Sequence, residues 1–299
     1  MVRRRIAEQP TSRLAIWARR IALFSLAATV IAIVIVRSGT LDIVPALTTL
    51  GGALMLAVLA ILLAFAAGVA IWMEGSRGLR EAVMALFIGI GLIAYPAYLG
   101  AKAYRLPAIY DVTTDPLDPP KFEAIARLRP RDANPVTYAG LYAAQQQRAA
   151  YSDIEPEMTE SSPQQAYEAV LKVITKRKWH IVDARPPQSP GSREGHVEAI
   201  ARTAILGFRE DVVIRVRSTQ DGARIDFRSA SRYGRHDLGA NAARVRGLIE
   251  DVDEALASVG PDKTEQADRS DKPEKSEKTE KKHAPKGSQA AGKGTSVKR

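Results

Sequence analysis

The sequence predicts an α+β protein in which three N-terminal transmembrane helices precede a small antiparallel sheet packed with two helices, and a disordered C-terminal tail follows. Three observations lead to this prediction. The first hundred residues contain three long stretches without a charged side chain, which a water-soluble core rarely has. Residues 161–259 then show helical and strand-like hydrophobic spacing in turn. Residues 260–299 are rich in Lys, Glu and Ser and have almost nothing to bury.

The charge-free stretches cover residues 21–36, 43–73 and 82–101. A helix rises about 1.5 Å per residue, so about 20 residues cross a hydrocarbon layer roughly 30 Å thick. The first stretch is short, but flanking arginines can extend their side chains to the interface. We therefore expect a membrane region at residues 14–104, with helices at about residues 14–36, 45–73 and 82–103.

The basic residues near the spans predict the orientation, because cytoplasmic loops retain Lys and Arg. If residues 1–13 lie in the cytoplasm, eight basic residues near the membrane lie inside and four lie outside. This favours a multi-pass protein of the bacterial cytoplasmic (inner) membrane, with a cytoplasmic N-terminus and a periplasmic C-terminal domain. Arg19 and Arg20 resemble a twin-arginine signal. Because no small-residue cleavage pattern follows Val36, we expect an uncleaved first helix.

The charge-free stretches contain no Asp, Glu, Lys, Arg or His, which argues against a transporter, because ion and proton paths usually need such groups inside the membrane. Ala60, Ala64 and Gly68 form a stripe of small residues at four-residue spacing. Such a stripe lets another helix approach closely. It predicts either packing among the three helices of one chain or a homo-oligomer.

The segment that follows the membrane region, residues 105–160, is predicted to be a linker and irregular segment. Its first part, residues 105–120, contains four prolines and three aspartates, a composition that disfavours a helix. We expect the aspartates, Asp111, Asp115 and Asp118, to lie in solvated turns. A calcium loop is the alternative, but the glycine and the closing glutamate of an EF-hand are missing.

The α+β domain is predicted at residues 161–259. Ser162 and Pro163 begin a helix that ends in the basic residues 176–178. Apolar residues from Val245 to Leu256 recur at helical spacing and predict the closing helix. Between the two helices, residues of alternating polarity predict strands at about residues 179–182, 196–203, 212–217 and 224–228.

Charge and composition exclude several classes of function. Residues 105–259 carry 22 basic and 22 acidic side chains, so this segment has no excess positive charge for nucleic acid. The chain has no cysteine, which excludes a disulfide scaffold and a thiolate zinc site. His180, His196 and His236 lack the spacing of zinc ligands. We therefore expect no metal and no cofactor.

The most informative stretch, residues 228–244, runs from a strand end into a helix start. Guanidinium groups, hydroxyls and free backbone amides at such a corner can hold a phosphate or a carboxylate. The alternative is a structural network in which Asp237 caps the helix and pairs with Arg232 or Arg244. The candidate anion-binding residues are Arg228, Ser229, Ser231, Arg232, Asp237, Asn241 and Arg244.

The same stretch suggests a second alternative, a hydrolase that acts on an envelope component through Ser231 or His236. Two observations argue against it. The side chains of the adjacent residues His236 and Asp237 seldom point the same way, and the sequence has no Gly-x-Ser-x-Gly nucleophile elbow. We therefore assign no catalytic residue, and the pattern favours a protein that is not an enzyme.

Together with Glu210-Asp211-Val212 and residues 110–115 before Pro119-Pro120, this stretch resembles the bacterial family called domain of unknown function 1499. The resemblance covers about residues 105–259 and implies an envelope-associated domain with no established reaction. We therefore expect a membrane-anchored cell-envelope protein that acts as a binding or structural module. Its expected partners are the lipid bilayer and either an envelope protein or an anionic ligand, with no role for nucleic acid.

Overall fold

The structure is a computed structural model and describes residues 10–188 and 194–258. The predicted disordered tail and most of the predicted cytoplasmic N-terminus lie outside the described residues. The helices are α1 (Arg13–Ser38), α2 (Ile43–Glu74), α3 (Leu79–Arg105), α4 (Ala124–Leu128), α5 (Gly140–Ala150), α6 (Pro163–Lys176) and α7 (Ala240–Ala257). The strands are β1 (Asp111–Thr113), β2 (Glu157–Thr159), β3 (His180–Arg185), β4 (Gly195–Arg202), β5 (Arg209–Ser218) and β6 (Ala223–Ser231).

Helices α1, α2 and α3 are long and apolar enough to cross a membrane, which confirms the predicted N-terminal architecture. They pack through small side chains, with Ala18, Ala22, Ala60, Ala64 and Ala85 in one buried cluster. Large apolar side chains point outward instead, among them Phe24, Phe65 and Phe87. This distribution suits a lipid bilayer, where close approach of the backbones holds helices together and large apolar side chains can face the lipid.

Two members of the predicted small-residue stripe pack inside this bundle, because Ala60 and Ala64 belong to the buried cluster. The third, Gly68, has no neighbouring atom within 4 Å of the position that a Cβ would take. It lines an apolar groove of about 390 Å³ between α2 and α3, together with Trp72 and Leu79. Packing within one chain therefore accounts for Ala60 and Ala64, and a homo-oligomer stays a prediction.

The sheet is antiparallel throughout, and the pairing order is β1-β6-β5-β4-β3. Strands β3 to β6 correspond to the predicted strands, which confirms the α+β class. Strand β2 also pairs with β6, at residues 223–225, whereas β1 pairs with residues 228–230. The β5–β6 turn ends at Gly222, whose φ is 145° and whose Cβ would lie 2.2 Å from the Thr159 carbonyl oxygen. Only glycine fits there.

The prediction that residues 105–160 form a linker and irregular segment is wrong. This segment contributes strands β1 and β2 and helices α4 and α5 to the folded domain. Asp111, which we expected in a solvated turn, is buried in β1. Asp115 pairs with Arg224 at 2.6 Å and Asp118 with Arg215 at 3.0 Å. Strands of three residues are too short to produce a recognisable period, and proline is tolerated beside an edge strand.

The sheet separates two different interiors. One face carries Val197, Ile214 and Phe227, which pack with α6 and α7 in the main hydrophobic core. The opposite face carries mostly charged side chains, and a smaller cluster around Phe122, Ile125 and Val213 covers part of it. Residues 115–138 therefore cover the second face of the sheet. The alternating polarity of the strands alone would predict that this face is exposed to water.

The domain contacts the ends of two membrane helices. The Nη1 atom of Arg37, in the last turn of α1, donates hydrogen bonds to the carbonyls of Ala204 and Ile205, at 2.5 and 3.0 Å. His236 contacts the carbonyl of Ala103, in the last turn of α3, through its Nε2 atom at 3.0 Å. These contacts place the turn between β4 and β5, and the turn before α7, against the helix bundle.

Candidate functional site

The seven candidate anion-binding residues do not form one site, because the alternation of β6 divides them between the two faces of the sheet. Ser229 and Ser231 lie on the face covered by α7, where Asn241 and Arg244 meet them. Arg228 and Arg232 lie on the opposite face and have other partners. Successive side chains of a strand point in opposite directions, so no single ligand can contact all seven.

On the α7 face, hydroxyls, an amide and a carboxylate satisfy one another. Ser229 donates to Asn241 Oδ1 at 2.8 Å, and Ser231 donates to Glu210 Oε2 at 2.7 Å. Asn241 Nδ2 donates to Ser231 Oγ at 2.9 Å. Arg244 Nη1 donates to Ser229 Oγ and Asn241 Oδ1, at 2.8 and 2.7 Å. This closed set of hydrogen bonds fixes the start of α7 on β6.

Glu210 and Arg244 are the charged members of this cluster, and their nearest atoms lie 3.6 Å apart. Burial raises the pKa of Glu210, although Arg244 and the Ser231 hydroxyl oppose the shift. Burial also lowers the pKa of Arg244, and Glu210 and Asp237 oppose that shift. Burial thus disfavours the charged form of both groups.

Asp237 stabilises the first turn of α7. Its two carboxylate oxygens accept hydrogen bonds from the backbone amides of Gly239 and Asn241, at 2.9 and 2.7 Å. Burial raises its pKa, and the two amides oppose the shift. The amides that could have held an external anion are therefore bound by a side chain of the same chain. Asp237 thus binds amides at the start of α7 as the structural alternative predicted, although Gly239 occupies the N-cap position itself. Arg232, considered above as a partner of Asp237, pairs with Asp211 at 2.7 Å instead.

On the opposite face, each buried arginine has a carboxylate partner. Arg228 donates from Nε and Nη2 to the two oxygens of Asp111, at 3.0 and 2.7 Å. Its guanidinium lies 4.7 Å from the centre of the Phe122 ring. Asp211 accepts from Arg232 at 2.7 Å and from Arg129 at 2.6 Å. The geometry favours a structural network on each face, and anion binding by either group of these residues stays a prediction.

The residues of the hydrolase alternative are also engaged. Ser231 Oγ is held between Glu210 and Asn241. His236 Nδ1 accepts the amide hydrogen of Leu238, so Nε2 carries the proton that it donates to Ala103. A serine and a histidine that act together need a direct hydrogen bond. Ser231 and His236 each bond to other groups instead. This arrangement does not support nucleophilic catalysis.

A group of potential metal ligands occurs where the sequence did not suggest one. Ligand atoms of Asp183, His196 and Glu198 all lie within 4.8 Å of one another. Glu198 already accepts hydrogen bonds from three backbone amides, at residues 123, 124 and 125, and contacts His196 at 3.0 Å. Asp183 accepts from Arg185 at 2.9 Å. Both carboxylates thus already accept hydrogen bonds from other groups of the domain, so the cluster fits a structural role.

We expect the domain to lose stability in acid because the pKa of Glu198 is lowered in the folded state. Burial alone would raise its pKa, but hydrogen bonds from His196 and the three amides lower it from 4.5 to about 2. Because the pKa is lowered in the folded state, the stabilisation is complete above pH 4.5 and disappears as the pH falls through 2. We expect wild type to lose about 3 kcal/mol of unfolding free energy across this range through Glu198.

Chemical unfolding at pH 5, 4 and 3 tests this expectation. Glu198→Gln should reduce the decline between pH 5 and pH 3 and should be less stable than wild type at pH 5. The control is Glu168→Gln, at an exposed position of α6, which should follow the wild-type curve. An unchanged decline in Glu198→Gln would show that other groups cause the acid sensitivity.

A polar cavity of about 260 Å³ lies where the α1–α2 turn meets the domain. We call it the junction cavity. Residues 36–46 form one wall, and residues 130–132, 202–209 and 232–233 provide the rest. Its charged lining residues are Arg37, Asp42, Asp132, Arg202, Arg209 and Arg232. No sequence pattern predicted this cavity, because its walls come from separated segments of the chain. The only signal was the basic character of Arg37 at a helix end.

Comparison with known families agrees with the predicted resemblance. Residues 111–252 match the family model described as Protein of unknown function (DUF1499). No curated protein matches the sequence. The matched region begins with β1 and ends within α7, so it includes all six strands and both networks described above. The α+β domain of this chain therefore belongs to the DUF1499 family.

Proposed function

We propose that this chain is a membrane-anchored protein of the bacterial cell envelope whose domain docks on the periplasmic ends of its own helices. There it serves as a binding or structural module at the membrane surface. The observation that carries the proposal is the pair of contacts from the domain to Arg37 of α1 and to Ala103 of α3. Contacts to two different helices restrain the domain more than a flexible linker would.

The assignment to the periplasm and the inner membrane is supported by the distribution of basic residues. Helices α1 and α3 end on the side where the domain lies, and the N-terminus of α1 lies at the other end of the bundle. The end near the N-terminus has twice as many basic residues near the membrane as the domain end. Cytoplasmic loops retain such residues, so the domain is assigned to the opposite side.

The assignment to a binding or structural module rests on the state of the candidate catalytic groups. The Ser231 hydroxyl and both ring nitrogens of His236 bond to groups of the same chain. A nucleophile or a general base needs free access to a substrate atom. In contrast, the junction cavity presents guanidinium groups at its surface, which suits recognition of a ligand.

A disulfide across the junction tests the docking. A Cβ at residue 207 would lie 3.6 Å from Arg37 Cβ, within the range that a disulfide requires. Because the chain has no cysteine, Arg37→Cys/Gly207→Cys has no competing thiol. We expect a mild oxidant to cross-link most of the protein in isolated membranes, with a shift in electrophoretic mobility after proteolysis between the two positions.

The matched control is Arg37→Cys/Asp221→Cys. Residue 221 follows the far end of β5, and a strand of ten residues spans roughly 30 Å. This pair should remain reduced under the same conditions. Equal cross-linking in both variants, or none in either, would contradict a docked domain.

A further inference from the structure

We propose that the junction cavity binds the phosphodiester head group of an anionic membrane phospholipid. This inference rests on the proposed function, because the cavity exists only when the domain is docked on the helices. It adds the chemical identity of a ligand. Four observations lead to it: unpaired positive charge, a repulsive arginine pair, an anchored third arginine and the level of the cavity relative to the helices.

The cavity has more positive charge than its acidic residues offset. In the part of the chain that the structure describes, Arg232 is the one arginine of the cavity with a carboxylate partner, Asp211, which lies behind the cavity wall. Within residues 10–188 and 194–258, no carboxylate oxygen lies within 4.0 Å of a guanidinium nitrogen of Arg37, Arg202 or Arg209. The buried arginines elsewhere in the domain are paired, whereas these three exposed arginines line one cavity without such a partner.

The second observation is that Arg202 and Arg209 lie directly opposite each other in the β4–β5 register. Side chains at directly opposite positions project from the same face of an antiparallel pair, and like charges there are destabilising. Both arginines are exposed and line the cavity. A phosphate group between them would replace the repulsion with charge-assisted hydrogen bonds, for which guanidinium geometry is well suited.

The third arginine is fixed in place by the backbone. Arg37 Nη1 donates to the carbonyls of Ala204 and Ile205, and the charge of the guanidinium is not neutralised by these bonds. Arg202 precedes the turn that binds Arg37, and Arg209 follows it. The aromatic ring of Tyr233 completes this side of the cavity. Three guanidinium-bearing residues, two beside one short loop and one at a helix end, thus line the same cavity.

The level of the cavity identifies the source of the phosphate. Its helical wall covers residues 36–46, where the first charge-free stretch ends at Val36 and the second begins at Ile43. This is the boundary between the hydrocarbon core and the head-group layer. A volume of about 260 Å³ is smaller than typical pockets for whole drug-sized ligands. It suits a head group whose acyl chains remain in the bilayer.

The full chain, delipidated in a neutral detergent, tests the inference by thermal unfolding with three added probes. These are phosphatidylglycerol, phosphatidylcholine and soluble glycerol 3-phosphate. We expect phosphatidylglycerol to raise the unfolding midpoint at concentrations at least tenfold lower than phosphatidylcholine requires. Glycerol 3-phosphate should have no effect at the same concentrations. A ligand that binds only the folded state produces such a shift.

Variants assign the effect to the cavity. Arg202→Gln/Arg209→Gln should weaken the response to phosphatidylglycerol at least tenfold without lowering the midpoint in lipid-free detergent, because a repulsive pair is removed. If the double variant does not fold, Arg202→Gln alone should weaken the response about threefold. The control, Arg127→Gln/Arg148→Gln, makes the same change in net charge at exposed positions outside the cavity. It should respond as wild type does.

Three results would overturn the inference. The first is no shift with phosphatidylglycerol, and the second is an equal loss of response in the control variant, which indicates non-specific charge attraction. The third is an equal response to glycerol 3-phosphate, which identifies a soluble anion as the ligand. The disulfide between residues 37 and 207 keeps the two proposals apart. If it forms while the lipid has no effect, only the lipid inference fails.

Discussion

Arg228→Met is expected to lower the free energy of unfolding of the domain by about 3–5 kcal/mol, because it leaves the buried Asp111 carboxylate without its partner. Both side chains of the pair are almost fully inaccessible, at 2% and 1% exposure. Burial raises the pKa of Asp111 even with Arg228 beside it. Methionine retains much of the apolar volume of arginine, so the loss reports mainly on charge and hydrogen bonding.

Chemical or thermal unfolding of the full chain in detergent, followed by near-ultraviolet circular dichroism, measures this loss. The control is Arg246→Met, which breaks a pair with Asp153 whose side chains are 42% and 55% exposed. Exposed pairs contribute at most about 1 kcal/mol. Arg228→Met/Asp111→Leu should recover part of the stability, because it removes both buried charges. Equal stability of Arg228→Met and Arg246→Met would contradict the buried pair.

Asp211→Asn is expected to have an effect at least as large, about 3–5 kcal/mol, because one carboxylate neutralises two buried arginines. Arg129 and Arg232 donate to its two oxygens, and their side chains are 4% and 3% exposed. Asparagine retains the shape but presents an amide nitrogen to one of the guanidinium groups. Two positive charges would then remain close together without compensation.

The same unfolding assay tests this second expectation, with Asp251→Asn as its control. Asp251 pairs with Arg177 at 2.7 Å, but both side chains are about one quarter exposed, so the loss should be close to 1 kcal/mol or less. A high salt concentration should reduce the effect of Asp251→Asn and leave that of Asp211→Asn almost unchanged. A small, salt-sensitive effect at Asp211 would mean that water reaches the network.

The sequence predicted the elements whose pattern is local. Three charge-free stretches identify α1 to α3 because the length of an apolar run is read directly from the chain. Alternating polarity predicted a strand at about residues 224–228, and its alternate residues Ile225 and Phe227 are buried in the main hydrophobic core. The predicted strand ended at about residue 228, whereas β6 continues to Ser231. The alternation therefore extends further than predicted and separates the seven candidate residues between two faces.

The remaining features depend on contacts between distant segments. Asp111 and Arg228 lie 117 positions apart, and β1 has only three residues, so neither the pair nor the strand has a local signature. The sequence therefore suggested a solvated turn for Asp111 and a linker around it. The junction cavity needs both the register of β4 with β5 and the docking on α1. Neither can be predicted from spacing within one segment.

The redox state of two cysteine pairs, measured in growing bacterial cells without added oxidant, tests most directly whether the domain is periplasmic and docked on α1. The first pair is Arg37→Cys/Gly207→Cys. The second is Thr11→Cys/Gly78→Cys at the opposite end of the bundle, where a Cβ at residue 78 would lie 3.5 Å from Thr11 Cγ2. The periplasm oxidises such pairs and the cytoplasm keeps them reduced. A periplasmic domain docked on α1 should give a disulfide in the first pair and free thiols in the second. The reverse result would assign the domain to the cytoplasm and refute the proposed orientation.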